Sequence, residues 1–220
     1  MFSDIKNQSS IRFVEVREYL DFIKDASPLP PKSFPRQLLI AKGMFFVHLY
    51  AAFEFTIRNT YSKAITFINS ESIQLSMCKK HLYCLVLNPE LDALNSVSNR
   101  NWKKRWDLFE KIENNIPVFI SNDIFPTDGK NIKYRQLESI WKSLCVPYPL
   151  LNTESIGGRI NEIVEMRNSI AHGNISPIDI GSSNTIEELY NRYNEVSNYC
   201  SYFIDTIEEY IRKKDYLEVI

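Results

Sequence analysis

Arg159-Ile-Asn-Glu-Ile-Val-Glu-Met-Arg-Asn-Ser-Ile-Ala-His-Gly173 is the stretch whose reading decides the fold. Ile160, Ile163, Val164 and Ile170 recur in it at helical spacing, which predicts a helix with one buried face. Gly173 follows at once and can take the left-handed conformation that ends helices, so His172 falls in the last turn. Arg167 and His172 are separated by four residues. Five positions turn an ideal helix through about 140°, so the two do not stack as an i, i+4 pair would. Asn168 and His172 do share a face, which makes Asn168 the expected neighbour of the imidazole.

A guanidinium offers a planar fork to phosphate oxygens, and histidine exchanges its proton near neutral pH. Those are the parts needed to cleave RNA without a metal. The 2′-hydroxyl loses a proton, a pentavalent phosphorane is stabilised, and the leaving 5′-oxygen gains a proton. The competing reading is structural: the same spacing recurs by chance, and a histidine at a helix end is a favourable cap.

Working outward, Ile11, Val14, Leu20 and Ile23 predict a first amphipathic helix from about Ile11 to Lys24, ended by the prolines of residues 28–31. A long helix is predicted from about Pro35 to Phe67, since Pro35 suits a first helical position and the next proline is Pro89. Its middle, Met44 to Ile57, is apolar nearly all round, and Ala51 and Ala52 would admit a neighbouring helix closely. Glu71 to Leu87 could form a helix closed by Asn88-Pro89, and Asn101 to Asn114 is helical in pattern. Ile116 to Ile120 reads as a short extended run, and Tyr134 to Cys145 as a helix closed by Pro147. Thr185-Ile-Glu-Glu188 is a capping-box pattern opening a last helix to about Tyr216. The chain thus reads as an all-α bundle of long antiparallel helices, a single domain over 1–220 with an insertion at roughly 70–150.

Net charge is −1, so no global cationic field marks a broad nucleic-acid binder, and any such contact has to be local. Arg100-Asn-Trp-Lys-Lys-Arg-Trp106 is one local candidate. Trp102 and Trp106 share a helical face with Lys103, Lys104 and Arg105 around it, suiting stacked bases and phosphates of single-stranded RNA. Against this, tryptophans at i, i+4 usually mark a buried stripe. Glu54 and Arg58 are an i, i+4 pair that reads either as an intrahelical ion pair or as a second layer behind Arg167 and His172. His48 reads as a core or interface histidine. Cys78, Cys84, Cys145 and Cys200 form no CxxC pair, and the spacing around His81 is too short for a zinc site, so no metal or cofactor is expected. The N-terminus lacks the apolar core of a signal peptide, and Met44 to Ile57 is too short to span a bilayer. A soluble cytoplasmic protein without a membrane role is expected.

Arg167-Asn-Ser-Ile-Ala-His-Gly173 resembles the R-x4-H motif of HEPN-domain ribonucleases, in which a polar residue commonly follows the arginine and Ala-His-Gly closes the motif. The order of long helices around it is similar too. More narrowly, the chain resembles the prokaryotic MAE_28990/MAE_18760-like HEPN branch of toxin–antitoxin and phage-defence loci. That likeness rests on Leu49-Tyr-Ala-Ala-Phe-Glu-Phe-Thr-Ile-Arg58, on Phe125-Pro-Thr-Asp-Gly129 ahead of Leu137-Glu-Ser-Ile-Trp141, and on Arg167 to Gly173. The resemblance implies a HEPN-like helical bundle and a homodimer whose motif helices meet, so that both Arg167 and both His172 form one composite RNase site. It also implies cleavage to 2′,3′-cyclic phosphate and 5′-hydroxyl ends, a toxin or effector role, and an antitoxin or other regulatory protein as a possible partner. The tyrosine that some HEPN toxins carry two residues after the histidine is absent, the position being Asn174. The alternative is a non-catalytic HEPN-like dimer that binds nucleic acid or a partner protein.

Overall fold

A computed structural model describes residues 1–29, 32–95 and 102–218. Arg100, part of the cationic stretch, lies outside the described residues. Among those described there are nine α-helices and no strand. They are α1 (Ser3–Asp25), α2 (Arg36–Ser70), α3 (Tyr83–Val86), α4 (Asn88–Asn95), α5 (Trp102–Glu113), α6 (Tyr134–Ser143), α7 (Ile156–Ala171), α8 (Pro177–Ser182) and α9 (Ile186–Lys213). The all-α expectation holds. The residues form two compact units, the first of Met1–Thr60, Asn131–Tyr134 and Leu151–Asp205, the second of Tyr61–Lys130, Arg135–Leu150 and Thr206–Ile220.

In the first unit α1 begins eight residues before the expected Ile11, and it buries a different face. Its core stripe is Phe2, Ile5, Ser9, Phe13, Val16, Leu20 and Ile23, while Ile11 and Val14 are exposed. Ser9 hid that stripe from a hydrophobicity reading; its hydroxyl is satisfied inside the fold by the Thr56 hydroxyl at 2.7 Å. α2 sends Phe45, Phe46, Leu49, Tyr50 and Phe53 into the core. An 18-residue window of α2 is long and apolar enough to cross a membrane by length and composition, and half of that window is buried within the chain.

Residues 177–182, between the motif helix and the last long helix, form α8. Ser176 caps it by accepting the Ile178 N–H at 3.3 Å, and Pro177 occupies the first turn, where its missing N–H costs nothing. α8 crosses α2 almost backbone to backbone. A Cβ on Gly43 would lie 2.1 Å from the Pro177 oxygen, and one on Gly181 would lie 1.9 Å from the Leu39 oxygen. α9 opens as expected: the Thr185 N–H donates to Glu188 Oε2 at 2.7 Å and the Glu188 N–H donates back to Thr185 Oγ1 at 3.2 Å. The Thr185 N–H, and the Thr185 hydroxyl donating to the same Oε2 at 3.1 Å, hold the Glu188 carboxyl below the usual carboxylate range.

In the second unit the expected helix over 71–87 is broken. Ser72 takes φ +50, and two 3-10 turns (Leu75–Met77 and Lys80–Leu82) precede the short α3. α3 ends just before Asn88-Pro89, with Leu87 as its cap, and Asn88-Pro89 also opens α4, because proline is tolerated in a first turn. Residues 116–120 are extended as expected: Leu75 N–H donates to the Ile116 oxygen at 2.9 Å and Val118 N–H to the Ile73 oxygen at 2.8 Å. Asn69 bonds both the N–H and the oxygen of Ile120, at 2.9 Å each. All four cysteines are free; Cys78 and Cys200 are buried, and burial pushes the Cys78 thiol up to about 11.

Burial also raises the phenols of Tyr50 and Tyr216 to about 12. A folded-state value above the unfolded value of about 10 means that the stabilisation is complete below pH 10. It is lost as pH climbs through 12. Stability measured by denaturant titration is therefore expected to hold up to pH 9 and fall steeply from pH 10 to 12, and Tyr216→Phe should flatten that fall.

Candidate nuclease site

The end of α7 is built by backbone geometry. Gly173 takes φ +71; its N–H donates to the Ile170 oxygen at 3.0 Å, and the Asn174 N–H donates to the Ser169 oxygen at 2.9 Å. This is a Schellman ending, with glycine at the one left-handed position. His172 is the cap residue, its N–H bonded to the Asn168 oxygen at 2.9 Å, and its side chain is exposed.

Arg167, about one and a half turns earlier, is half-buried and held by two groups, one of them braced in turn by a third. Its Nη1 donates to Asn168 Oδ1 at 2.9 Å, and its guanidinium lies 5.1 Å from the centroid of the Tyr50 ring on α2. Asn131 Nδ2 donates to the same Asn168 oxygen at 2.9 Å. The Tyr50 hydroxyl in turn donates to Asn131 Oδ1 at 3.4 Å and accepts the Ile132 N–H at 3.2 Å. Asn168 therefore braces the guanidinium with its oxygen, where the i, i+4 spacing had assigned it to the imidazole. The preference is electrostatic, since a carboxamide oxygen gains most from a fully charged donor such as a guanidinium.

Tyr50 and Asn131 were missed from sequence. Asn131 sits in a turn far from the motif along the chain, and Tyr50 looks like one more core aromatic. The hints were its place one turn before Glu54 and inside the Leu49–Arg58 stretch. Residues 131–134 are themselves fastened to α7: the Tyr134 N–H donates to Asn161 Oδ1 at 3.0 Å and Lys133 pairs with Glu165 at 3.1 Å. Further along α7, Arg159 and Arg192 share the carboxylate of Glu162, which ties α7 to α9.

Glu54 and Arg58 form the intrahelical ion pair, at 2.9 Å, with Arg58 exposed. Glu54 also lies close enough to the Tyr50 phenol to add to the rise that burial imposes on it. With that phenol at about 12, Tyr50 stays a donor throughout the working pH range. Its chemistry here is to hold, while the His172 side chain stands exposed at the end of α7. His48 packs edge-on to Tyr19, with ring centroids 5.7 Å apart. Among the described residues no group of three His, Cys, Asp or Glu could hold a metal ion.

The tryptophans of α5, in the second unit, are placed elsewhere than the buried-stripe reading requires. Trp102 is 57% exposed and Trp106 60%. Lys103 and Arg105 are exposed beside them, whereas the Lys104 ammonium turns inward to the Ala93 oxygen at 3.4 Å.

In the comparison with family models, the RiboL-PSP-HEPN model matches residues 7–209. The match spans α7 whole and most of α1 and α9. Its description names a HEPN family without naming the narrower branch expected from sequence. Neither the curated proteins nor the solved structures gave a match.

Proposed function

Since the chain belongs to the RiboL-PSP-HEPN family, we propose that it is a metal-independent endoribonuclease acting at Arg167 and His172. The observation that carries this is the braced guanidinium: Asn168, Asn131 and Tyr50 hold Arg167 in place while His172 stands exposed at the end of the same helix. A preorganised cation aimed at developing phosphorane charge is the costly part of a nuclease site, and packing alone does not require it. In the reaction His172 takes the proton of the 2′-hydroxyl and the 2′-oxygen attacks the adjacent phosphorus. Arg167 binds the phosphorane oxygens. The bond from phosphorus to the 5′-oxygen breaks, and that oxygen takes a proton from the imidazolium of a second copy. The products are a 2′,3′-cyclic phosphate and a 5′-hydroxyl.

HEPN domains commonly dimerise and bind RNA. Apolar Ile40 and Met44 on α2 and Ile175 just past the motif are exposed in the same unit, which supports a copy-to-copy contact beside the site. A toxin or effector role with a cognate inhibitor is part of this reading. The decisive experiment incubates the protein with a single-stranded RNA in EDTA, beside the same strand carrying 2′-deoxyribose. Cleavage of the RNA alone, leaving cyclic phosphate ends, is expected. Cleavage of the deoxy strand, or loss of activity in EDTA, sinks the mechanism, and an inert wild type returns the chain to the binding-module reading.

The bracing residues make a separate expectation. Asn131→Ala should lower kcat by about tenfold with KM within a factor of three, because loosened positioning weakens transition-state contacts more than substrate binding. Tyr50→Phe keeps the ring under Arg167 and should fall between Asn131→Ala and the wild type. A matching loss of kcat and gain in KM in single-turnover assays would mean that Asn131 binds substrate instead.

A further inference from the structure

The helix α5 buries none of its side chains. Trp102, Trp106 and Phe109, at i, i+4 and i+7, lie along one face and are 57, 60 and 62% exposed. The opposite side is fastened down: Lys104 donates to the Ala93 oxygen and Lys111 pairs with Glu90 on α4. The aromatic row is thus presented on an anchored helix. The charges along it are unevenly placed. Exposed Lys103 and Arg105 flank the two tryptophans on either side, while Glu110 and Glu113 occupy the far end beside Phe109. The Arg105 guanidinium already lies 4.8 Å from the centroid of Trp102, so that indole offers its face to a flat, polar group.

We infer that the first turns of α5 are a docking surface for single-stranded RNA, with Trp102 and Trp106 each stacking one base and Lys103 and Arg105 meeting the adjoining phosphates. Two rings one helical turn apart are separated by about 6 Å along the axis. That exceeds the roughly 3.4 Å between bases stacked in a duplex, so the rings suit bases splayed out of a single strand. A protein partner is the weaker fit. The centre of a protein interface is depleted of charge, whereas here cations border the indoles on both sides and match a polyanion. The near-neutral chain as a whole makes this a local contact, a place where a strand is gripped. The inference takes its ligand from the nuclease reading above but uses none of that site's residues.

The test measures anisotropy of a labelled twelve-nucleotide RNA with full-length His172→Ala protein, in which the strand stays intact. Trp102→Ala with Trp106→Ala is expected to weaken binding at least thirtyfold, and the Phe pair to keep most of the affinity because a stacking face remains. Lys103→Ala with Arg105→Ala should lower the slope of log affinity against log salt by about 1.4, two phosphate contacts on a single strand. In the unchanged protein, RNA should shield the exposed indoles from acrylamide quenching, a readout independent of any substitution. Unchanged affinity in the alanine pair, equal binding of duplex RNA, or loss of self-association with RNA affinity intact would each overturn the inference. Binding that depends on Trp102 and Trp106 in a chain that cleaves nothing removes the nuclease reading and leaves this surface standing. Cleavage that ignores the tryptophans does the reverse.

Discussion

His172→Ala is expected to lower the rate of RNA cleavage by about 10²–10⁴-fold, the range general acid–base groups contribute. The fold should scarcely notice. The His172 side chain is exposed, and the bonds that close α7 run through its backbone and through Gly173, which alanine at 172 preserves. Arg167→Ala is expected to cost about 10²–10³-fold, the loss of a preorganised charge facing the phosphorane. Arg167→Lys should recover little, because a point ammonium cannot bond Asn168 and two phosphate oxygens in one plane. The double variant should fall little below the worse single one, since groups acting as a unit are not additive. Steady-state cleavage with a melting curve for each variant checks all of this. A histidine variant that folds normally and cuts at the wild-type rate removes His172 from the chemistry.

The second large effect concerns stability. Gly181→Ala is expected to destabilise the chain by about 3 kcal/mol, the upper end for overpacking. That corresponds to a fall of roughly 10 °C in Tm for a chain of this size. The added methyl would lie 1.9 Å from a backbone oxygen of α2, so whole helices have to part and no side chain can rotate away. Gly43→Ala meets the reverse side of the same crossing and should behave alike. Gly173→Ala is the control. Nothing lies within 4 Å of its would-be methyl, so only the positive φ opposes it, at about 1 kcal/mol. Thermal melts of the three variants separate contact from conformation; a Gly181 variant that melts with the wild type would mean that the crossing is looser than described.

The sequence was most legible where one residue dictates geometry over a short span. Gly173 marks the end of α7, and Thr185 with Glu188 marks the start of α9, both as read. It misled where a rule has two outcomes. Asn88-Pro89 both ends and begins helices, and here it stands between the end of α3 and the start of α4. The first helix was read from Ile11 because a serine does not register as a core residue, although a hydroxyl pair lets Ser9 stand in the core stripe. Periodicity gave the tryptophans of α5 a common face but could not say which way that face points. The bracing of Arg167 was beyond reach for another reason. Asn131 is 37 residues from Asn168 and 81 from Tyr50, and such pairs leave no spacing to recognise.

Asn131 to Tyr134 are four residues of the first unit that the chain enters from, and leaves into, the second. The Ile132 N–H is given to the Tyr50 hydroxyl, and the same four residues supply the amide that locks Asn168. Local opening of this short strap would remove the second bond on Asn168 Oδ1, and so loosen the brace on the guanidinium, without melting a single turn of α7. Hydrogen exchange at the Ile132 amide would then count the molecules in which Asn168 has lost its outer support, a readiness gauge for the site lying outside its own helix.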